Sequence, residues 1–122
     1  MLKDIDHVQV AIPAGEEERA RDFYGRVLGL QEVEKPEHLR KRGGLWFSLG
    51  ARQFHLGAEK NFTPAKKAHP AFLVGDVGTL KRALESNGYA VVSDEPLEGY
   101  DRIYADDPFG NRLEFLRPIS SD

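Results

Sequence analysis

The chain has 122 residues, of which 40% are hydrophobic and 30% are charged, and its formal net charge is −3. This length and balance predict one soluble globular domain with a single core, and they exclude a disordered or fibrous chain. The acidic balance offers no basic field for nucleic acid, and the lack of cysteine means that any metal must be held by nitrogen and oxygen.

The sequence shows no signal for membrane insertion or export. Its apolar runs fall far short of the roughly 20 residues that a helix needs to cross a bilayer. The opening stretch, MLKDIDHVQV, has acids and a histidine where a signal peptide needs an apolar segment. We therefore expect a cytoplasmic protein whose partners include neither a membrane nor nucleic acid.

The first half of the chain reads as a strand, a helix and three further strands. In the run DHVQVAIP, alternation puts His7 and Gln9 on one face and the apolar Val8 and Val10 on the other. A helix that ends at Gly29 follows. Its apolar residues recur at helical spacing: Ala20, Phe23, Tyr24, Val27 and Leu28. The runs LQEVE, LWFSLG and RQFHLGA complete the half, with a loop at residues 35–44.

The second half repeats this order. HPAFLVGD reads as a strand, Asp76 can cap the helix that follows, and Gly88 ends it. The strand-like runs YAVVS, RIYAD and RLEFLR come next. A polar segment at residues 57–68 connects the copies. The chain is thus predicted to be an α+β protein, one domain of residues 1–122 with two βαβββ modules, at about residues 1–58 and 67–118.

Four titratable side chains occupy matching positions in the two copies. His7 and His69 open the first strands, and His55 and Glu114 lie in the last strands. Glu114 stands between Leu113 and Phe115, where a carboxylate needs compensation. If the duplicated sheets face one cavity, three imidazoles and a carboxylate meet there. They form the ligand shell expected for zinc, nickel, iron, manganese or cobalt.

Two of these residues, His55 and Glu114, also have a simpler interpretation. His55 alone is typical of a hydrogen-bonded core histidine, and Glu114 could pair with Arg112 or Arg102 as a surface ion pair. His38 lies in the charged EHLRKR segment and has no counterpart in the second copy, so we expect it to be solvated. One metal site would explain the four matched positions together.

The chain resembles the vicinal oxygen chelate superfamily, which includes glyoxalases, bleomycin-resistance proteins and dioxygenases. The resemblance runs from DHVQVAIP through ARDFYGRVLGL to DPFGNRLEFLRP. It implies a U-shaped mixed sheet around a metal-accessible cleft, with His7, His69 and Glu114 as ligands. His55 stands where a glyoxalase I has a glutamate and is a possible fourth donor. Iron-dependent ring-cleaving dioxygenases and manganese-dependent fosfomycin thiol transferases in the superfamily use a set of two histidines and one carboxylate.

The resemblance also implies a function. We expect a metal-dependent enzyme that binds a small oxygen-rich molecule through adjacent oxygens, as a lyase or isomerase, a dioxygenase or a thiol transferase. Glu114 is the candidate base, and Tyr104 is the candidate substrate-orienting hydroxyl, although a strand tyrosine can serve packing alone. Gln9 and Trp46 are further candidates for lining the pocket.

Two further expectations concern the alternative function and the assembly. The alternative is a metal-free binding protein that sequesters a ligand or drug, like the bleomycin-resistance members. Short relatives commonly build each site across a homodimer, which implies that His7 and His55 meet His69 and Glu114 of the partner subunit.

Overall fold

The structure is a computed structural model that describes residues 1–93 and 95–119. The chain divides into two compact units, Met1–Pro64 and Ala65–Asp122. The expected domain of residues 1–122 therefore includes four positions, residues 94 and 120–122, that lie outside the described residues. No helix in the described ranges has the length and apolarity that a bilayer crossing requires.

The first unit is a four-stranded mixed sheet with helices. Its elements are β1 (His7–Pro13), α1 (Glu17–Ala20), a π-helical continuation (Arg21–Val27), β2 (Gln31–Val33), α2 (Glu37–Arg40), β3 (Leu45–Leu49) and β4 (Arg52–Glu59). The sheet order is β1-β4-β3-β2, with β1 parallel to β4 and the other pairs antiparallel. This arrangement places β4, which carries His55, between β1 and β3.

The second unit repeats the same topology. Its elements are β5 (Ala71–Leu73), α3 (Val77–Ser86), β6 (Val91–Val92), β7 (Tyr100–Asp106) and β8 (Arg112–Pro118). The sheet order is β5-β8-β7-β6, with β5 parallel to β8 and the other pairs antiparallel. The predicted α+β class and the repeated strand-helix-strand-strand-strand order are confirmed.

The first helix packs its apolar side on the sheet of its own unit. Ala20, Phe23, Tyr24 and Val27 are buried as predicted, whereas Leu28 is half-buried. From Arg21 the hydrogen bonds widen to the π type, for example from the amide of Leu28 to the carbonyl of Phe23 at 2.9 Å. Phe23 and Tyr24 are adjacent in sequence and both buried, in an edge-to-face contact with ring centroids 5.0 Å apart.

A hydrogen-bonded turn fixes the start of β8. Oδ1 of Asp107 accepts from the amides of Phe109 and Asn111, each at 2.9 Å, and Nδ2 of Asn111 donates to Oδ2 of Asp107 at 2.8 Å. Asn111 is 2% exposed, and its Oδ1 also accepts from the amide of Ala65 at 3.0 Å. These bonds satisfy the buried polar groups of the turn and set the register that carries Glu114 into the sheet.

Three local expectations need correction. The segment 35–44 was expected to be a loop, but it contains α2, in which His38 is exposed as predicted. β4 runs on to Glu59, into the segment predicted as a connection. His69 lies just before β5, outside the strand, because pairing with β8 begins at Ala71.

Candidate functional site

Glu114 is a buried carboxylate surrounded by polar partners. It is 8% exposed. Its strand, β8, lies between β5 and β7, and Glu114 stands opposite Ala71 of β5 and Tyr104 of β7. Oε1 lies 2.8 Å from Nε2 of His69, and Oε2 lies 3.5 Å from Nη1 of Arg102. The carboxylate is therefore compensated by a histidine on one oxygen and an arginine on the other.

The orientation of His69 is fixed by its second ring nitrogen. Nδ1 lies 2.9 Å from the carbonyl oxygen of Lys67, which can only accept, so Nδ1 carries a proton and donates it. Nε2 is then the nitrogen left for a proton or a metal ion on the Glu114 side. A ligating histidine is commonly held this way, with its other nitrogen donating to a carbonyl.

The spacing of this pair suits metal coordination. Two ligands at about 2.1 Å from one ion and at right angles to each other stand about 3 Å apart. The 2.8 Å between Nε2 of His69 and Oε1 of Glu114 is close to that separation. Both atoms could therefore bind one ion after small movements.

The surroundings of Glu114 favour its ionised form. Burial alone would raise the pKa of Glu114, but hydrogen bonds from His69 and Tyr104, together with the charge of Arg102, outweigh burial and lower the pKa below its usual value. The sequence interpretation of Glu114 as a surface ion pair is wrong, because the carboxylate is buried. Of the two arginines considered, Arg102 makes the ion pair, and Arg112 instead lies over the ring of Tyr104 at 4.2 Å.

Tyr104 is a buried hydroxyl beside the carboxylate. It is 8% exposed, and its oxygen accepts from Nη1 of Arg102 at 3.2 Å. Burial raises the pKa of Tyr104, and the charge of Glu114 raises it further, so the phenol stays protonated and donates to that carboxylate. The expected packing role and a polar role thus coexist at Tyr104.

In the first unit, three aromatic rings stack across three neighbouring strands. The ring of His55 lies 4.2 Å from that of His7 on one side and 4.1 Å from that of Trp46 on the other, centroid to centroid. Nε2 of His55 lies 2.8 Å from Oε1 of Gln53, and Nδ1 of His7 lies 3.0 Å from Oδ2 of Asp6. Two imidazoles are therefore side by side, one buried and one exposed.

His55 is held in the neutral form. Burial lowers the pKa of His55 below its ordinary value of 6.5, and the charge of His7 lowers it further. Neutral imidazole is the form that binds metal. The simpler sequence interpretation of His55, a hydrogen-bonded buried histidine, also describes what the structure shows.

The structure brings the four predicted ligands together as two pairs. His7 and His55 are neighbours in the first unit, and His69 and Glu114 are neighbours in the second. Within residues 1–93 and 95–119, no group of three or more His, Cys, Asp or Glu side chains is placed to hold a metal ion. The four-ligand centre stays a prediction.

Gln53 and the carbonyl of Lys67 are among the partners of these pairs that sequence reasoning missed. Gln53 shares a face with His55 by strand alternation, so its hydrogen bond could have been found from the run RQFHLG. The carbonyl of Lys67, in contrast, depends on the path of the chain before β5 and leaves no pattern in the residue types.

Comparisons with known proteins agree on one family. A family model described as the Glyoxalase/Bleomycin resistance protein/Dioxygenase superfamily matches residues 4–115. A structure from Bacillus anthracis, described as that of a glyoxalase family protein, is 49% identical, covers 98% of each chain and superposes with a TM-score of 0.92. A search of curated proteins finds no match.

More distant structures share the fold. A glyoxalase/dioxygenase from Nostoc punctiforme is 19% identical, with a TM-score of 0.80 over 97% of this chain and 92% of that one. The fosfomycin resistance protein FosX from Listeria monocytogenes is 13% identical, with a TM-score of 0.74 over 100% of this chain and 96% of that one.

Proposed function

The chain belongs to the glyoxalase/bleomycin resistance protein/dioxygenase superfamily, and on that premise we propose that it is a divalent-metal-dependent enzyme. Its substrate is a small oxygen-rich molecule bound through adjacent oxygens, and the reaction is of the lyase or isomerase, dioxygenase or thiol-transfer type. The observation that carries the proposal is the 2.8 Å approach of Nε2 of His69 to Oε1 of Glu114, with Nδ1 of His69 committed to a carbonyl.

The donor set suits a borderline divalent ion. His7, His55, His69 and Glu114 would hold zinc, nickel, iron, manganese or cobalt, because imidazole and carboxylate suit these ions and no thiolate is available. The ion would supply Lewis-acid stabilisation of charge that develops on a substrate oxygen. Four protein ligands would leave at least one position for substrate or water on a five- or six-coordinate ion.

The residues of the second unit would handle protons and orientation. Glu114 is the candidate base. Arg102 lies at its Oε2, His69 lies at its Oε1, and Tyr104 donates to the same carboxylate. Tyr104 is the candidate for orienting substrate, because its buried hydroxyl lies beside the carboxylate of the candidate base. The 4.2 Å contact of Arg112 with the tyrosine ring supports that orientation.

The proposal includes a homodimer. Each unit supplies one pair of ligands, and a complete site needs both pairs. We propose that His7 and His55 meet His69 and Glu114 of the partner subunit. Light scattering tests the dimer itself, and a chain that stays monomeric at micromolar concentration would require both pairs to come from one chain.

The second candidate is a metal-free protein that binds and sequesters a ligand. It is favoured by the hydrogen bonding of the second unit, where His69, Arg102 and Tyr104 all contact the carboxylate of Glu114. In that case the pair is a buried ion pair whose role is structural.

Elemental analysis separates the two candidates. Protein is purified without chelators and without a metal-affinity tag, and its metal content is measured by mass spectrometry. Metal-free protein is then titrated calorimetrically with nickel, zinc, manganese and iron salts. About one ion per chain supports the enzyme. If the protein contains no metal and releases no heat on titration, the enzyme is refuted and the metal-free binding protein is the remaining candidate.

A further inference from the structure

A second feature of the first unit is a cavity of about 210 Å³. It is lined by Gln9, Lys35, Leu39, Arg42, Gly43, Trp46, Leu56, Gly57 and Ala58. Two of these residues are cations and none is an acid, although the chain as a whole has a net charge of −3. The cavity is therefore a local exception to the charge of the protein.

Both cations are available to a ligand. Neither Lys35 nor Arg42 forms an ion pair with an acid in the part of the chain that the structure describes. The ammonium group of Lys35 donates to the carbonyl of Gly43, which holds it in place and leaves two of its three hydrogens free. Glu17 approaches Gly43 with one carboxylate oxygen, so it offsets part of the positive charge without lining the cavity.

The cavity also has a fixed amide and an aromatic wall. Gln9 lies over Gly57 so closely that a Cβ on Gly57 would stand 2.7 Å from Nε2 of Gln9. The absence of a side chain at Gly57 thus makes room for this amide. Trp46 is stacked on His55 with an interplanar angle of 5°, so its ring is held rigidly where it meets the cavity.

The size restricts what can enter. Drug-sized ligands need pockets of about 300–1,000 Å³, so the 210 Å³ here holds part of a small molecule. The lining combines two positive charges, a hydrogen-bonding amide, and apolar surface from Leu39, Leu56 and Ala58. That combination matches an oxyanion attached to a small planar or apolar group.

We propose that this cavity is an anion subsite in which Lys35 and Arg42 bind the carboxylate or phosphonate group of a small ligand whose planar part lies against Trp46. Trp46 lines the cavity and is stacked on His55, so the ligand would lie beside a candidate metal ligand. Its identification with the enzyme's substrate rests on the proposed function. Binding of the anion itself needs no metal.

The chain offers a direct readout, since Trp46 is its one tryptophan. Chelator-treated protein is titrated with benzoate, phenylphosphonate and the neutral benzamide while tryptophan fluorescence is followed. We expect saturable binding of at least one anion, with benzamide at least about tenfold weaker. The stronger anion identifies the group as carboxylate or phosphonate. Binding of neither anion, or equal binding of benzamide, would overturn the proposal.

Variants assign the effect to the two cations. Arg42→Met and Lys35→Met should each weaken anion binding at least about tenfold, the loss of one charge-assisted hydrogen bond. Lys41→Met is the matched control, because Lys41 is exposed, adjacent to Arg42 and outside the cavity lining. Lys35 donates from its side chain to the carbonyl of Gly43, whereas the side chain of Arg42 makes no such bond within the described residues. An affinity within twofold of the wild type in Arg42→Met therefore refutes the subsite even if Lys35→Met disturbs the loop.

The same variants keep this proposal separate from the proposed function. Arg42→Met should take up metal like the wild type, because Arg42 is not among the candidate ligands. Anion binding by a chain that takes up no metal would retain the subsite and refute the enzyme. Metal uptake without anion binding would refute the subsite and retain the proposed enzyme.

Discussion

Nε2 of His69 lies 2.8 Å from Oε1 of Glu114, although 45 residues separate them along the chain. The parallel pairing of β5 with β8 brings them together, since Ala71 stands opposite Glu114 and the amide of Glu114 donates to the carbonyl of Pro70. Backbone pairing therefore sets the approach of the two side chains.

Glu114→Gln should weaken metal binding by at least about 100-fold. Loss of a ligand exceeds the roughly 10- to 100-fold effect of removing an outer partner. The amide keeps the size of the side chain but lacks the charge that pairs with His69 and Arg102. Titration calorimetry measures the affinity, and His38→Ala is the control because His38 is exposed. Wild-type affinity in Glu114→Gln would remove this residue from the ligand set.

Mixing two variants that each fail to bind metal should restore metal binding if sites form across a dimer. His7→Ala and Glu114→Gln each disable one unit. A mixed dimer of the two chains contains one site built from an intact first unit and an intact second unit. After the variants are unfolded and refolded together, elemental analysis should find about one metal ion per mixed dimer, which is up to about half an ion per dimer when averaged over the statistical mixture. No recovery in verified mixed dimers would place each complete site within one chain.

The fluorescence of Trp46 should titrate below pH 6.5. Trp46 and His55 are stacked at 4.1 Å, and the pKa of His55 is lowered from 6.5 by burial and by His7. As the pH falls, His55 of the unfolded chain therefore binds a proton before His55 of the folded chain does. The contribution of neutral, buried His55 to the free energy of unfolding is present above pH 6.5 and is lost as the pH falls through the folded pKa. His7→Ala should move the fluorescence midpoint upward. An unchanged midpoint would mean that His7 does not act on His55.

Gly44→Ala should destabilise the first unit by about 3 kcal/mol or more. Gly44 has φ of +85°, and a Cβ there would stand 2.1 Å from the carbonyl oxygen of Leu56, so the backbone must move. Gly50→Ala is the control. Gly50 has φ of +57°, and a Cβ there would have no atom within 4 Å among the described residues. The variant should therefore lose only about 1 kcal/mol of stability, from the left-handed conformation of an alanine. Urea unfolding compares them, and equal losses would contradict the close contact.

Asp76→Asn should remove a pH-dependent part of the stability of α3. Oδ2 of Asp76 accepts from the amide of Thr79 at 2.9 Å and from its hydroxyl at 2.7 Å. These bonds lower the pKa of Asp76 below 3.8. The stabilisation is present above pH 3.8 and is lost as the pH falls through the folded pKa. The urea midpoints of wild type and variant should differ at pH 7 and converge in acid. A constant difference would show that the charge is irrelevant.

Much of the fold could be predicted because it depends on local patterns. Alternation in DHVQVAIP, helical spacing around Phe23 and Tyr24, and the glycines that end the helices each specify one element. The glycines at 29 and 88 have φ of +80° and +87°, as a left-handed helix stop requires. The π-helical form of Arg21–Val27 was not predicted, because apolar spacing does not distinguish it from an α-helix.

The candidate site was predicted in its residues but not in its contacts. Duplication marked His7, His55, His69 and Glu114 because equivalent positions in two copies share a face of the sheet. The choice of Arg102 over Arg112 as partner of Glu114 depends on side-chain reach across β7 and β8, and both arginines satisfied the alternation. The same holds for the stacking of Trp46 on His55, which follows from the register of β3 on β4.

By itself the sequence determined the α+β class, the repeated order of elements and the matched histidine and carboxylate positions, since each follows from residue periodicity within one element. Tertiary structure alone decided that Glu114 is buried against His69, Arg102 and Tyr104, and that a positively charged cavity opens beside Trp46. The physical reason is that burial and the field around a charge are set by side chains from several strands, whose register and rotamers no single stretch of sequence specifies.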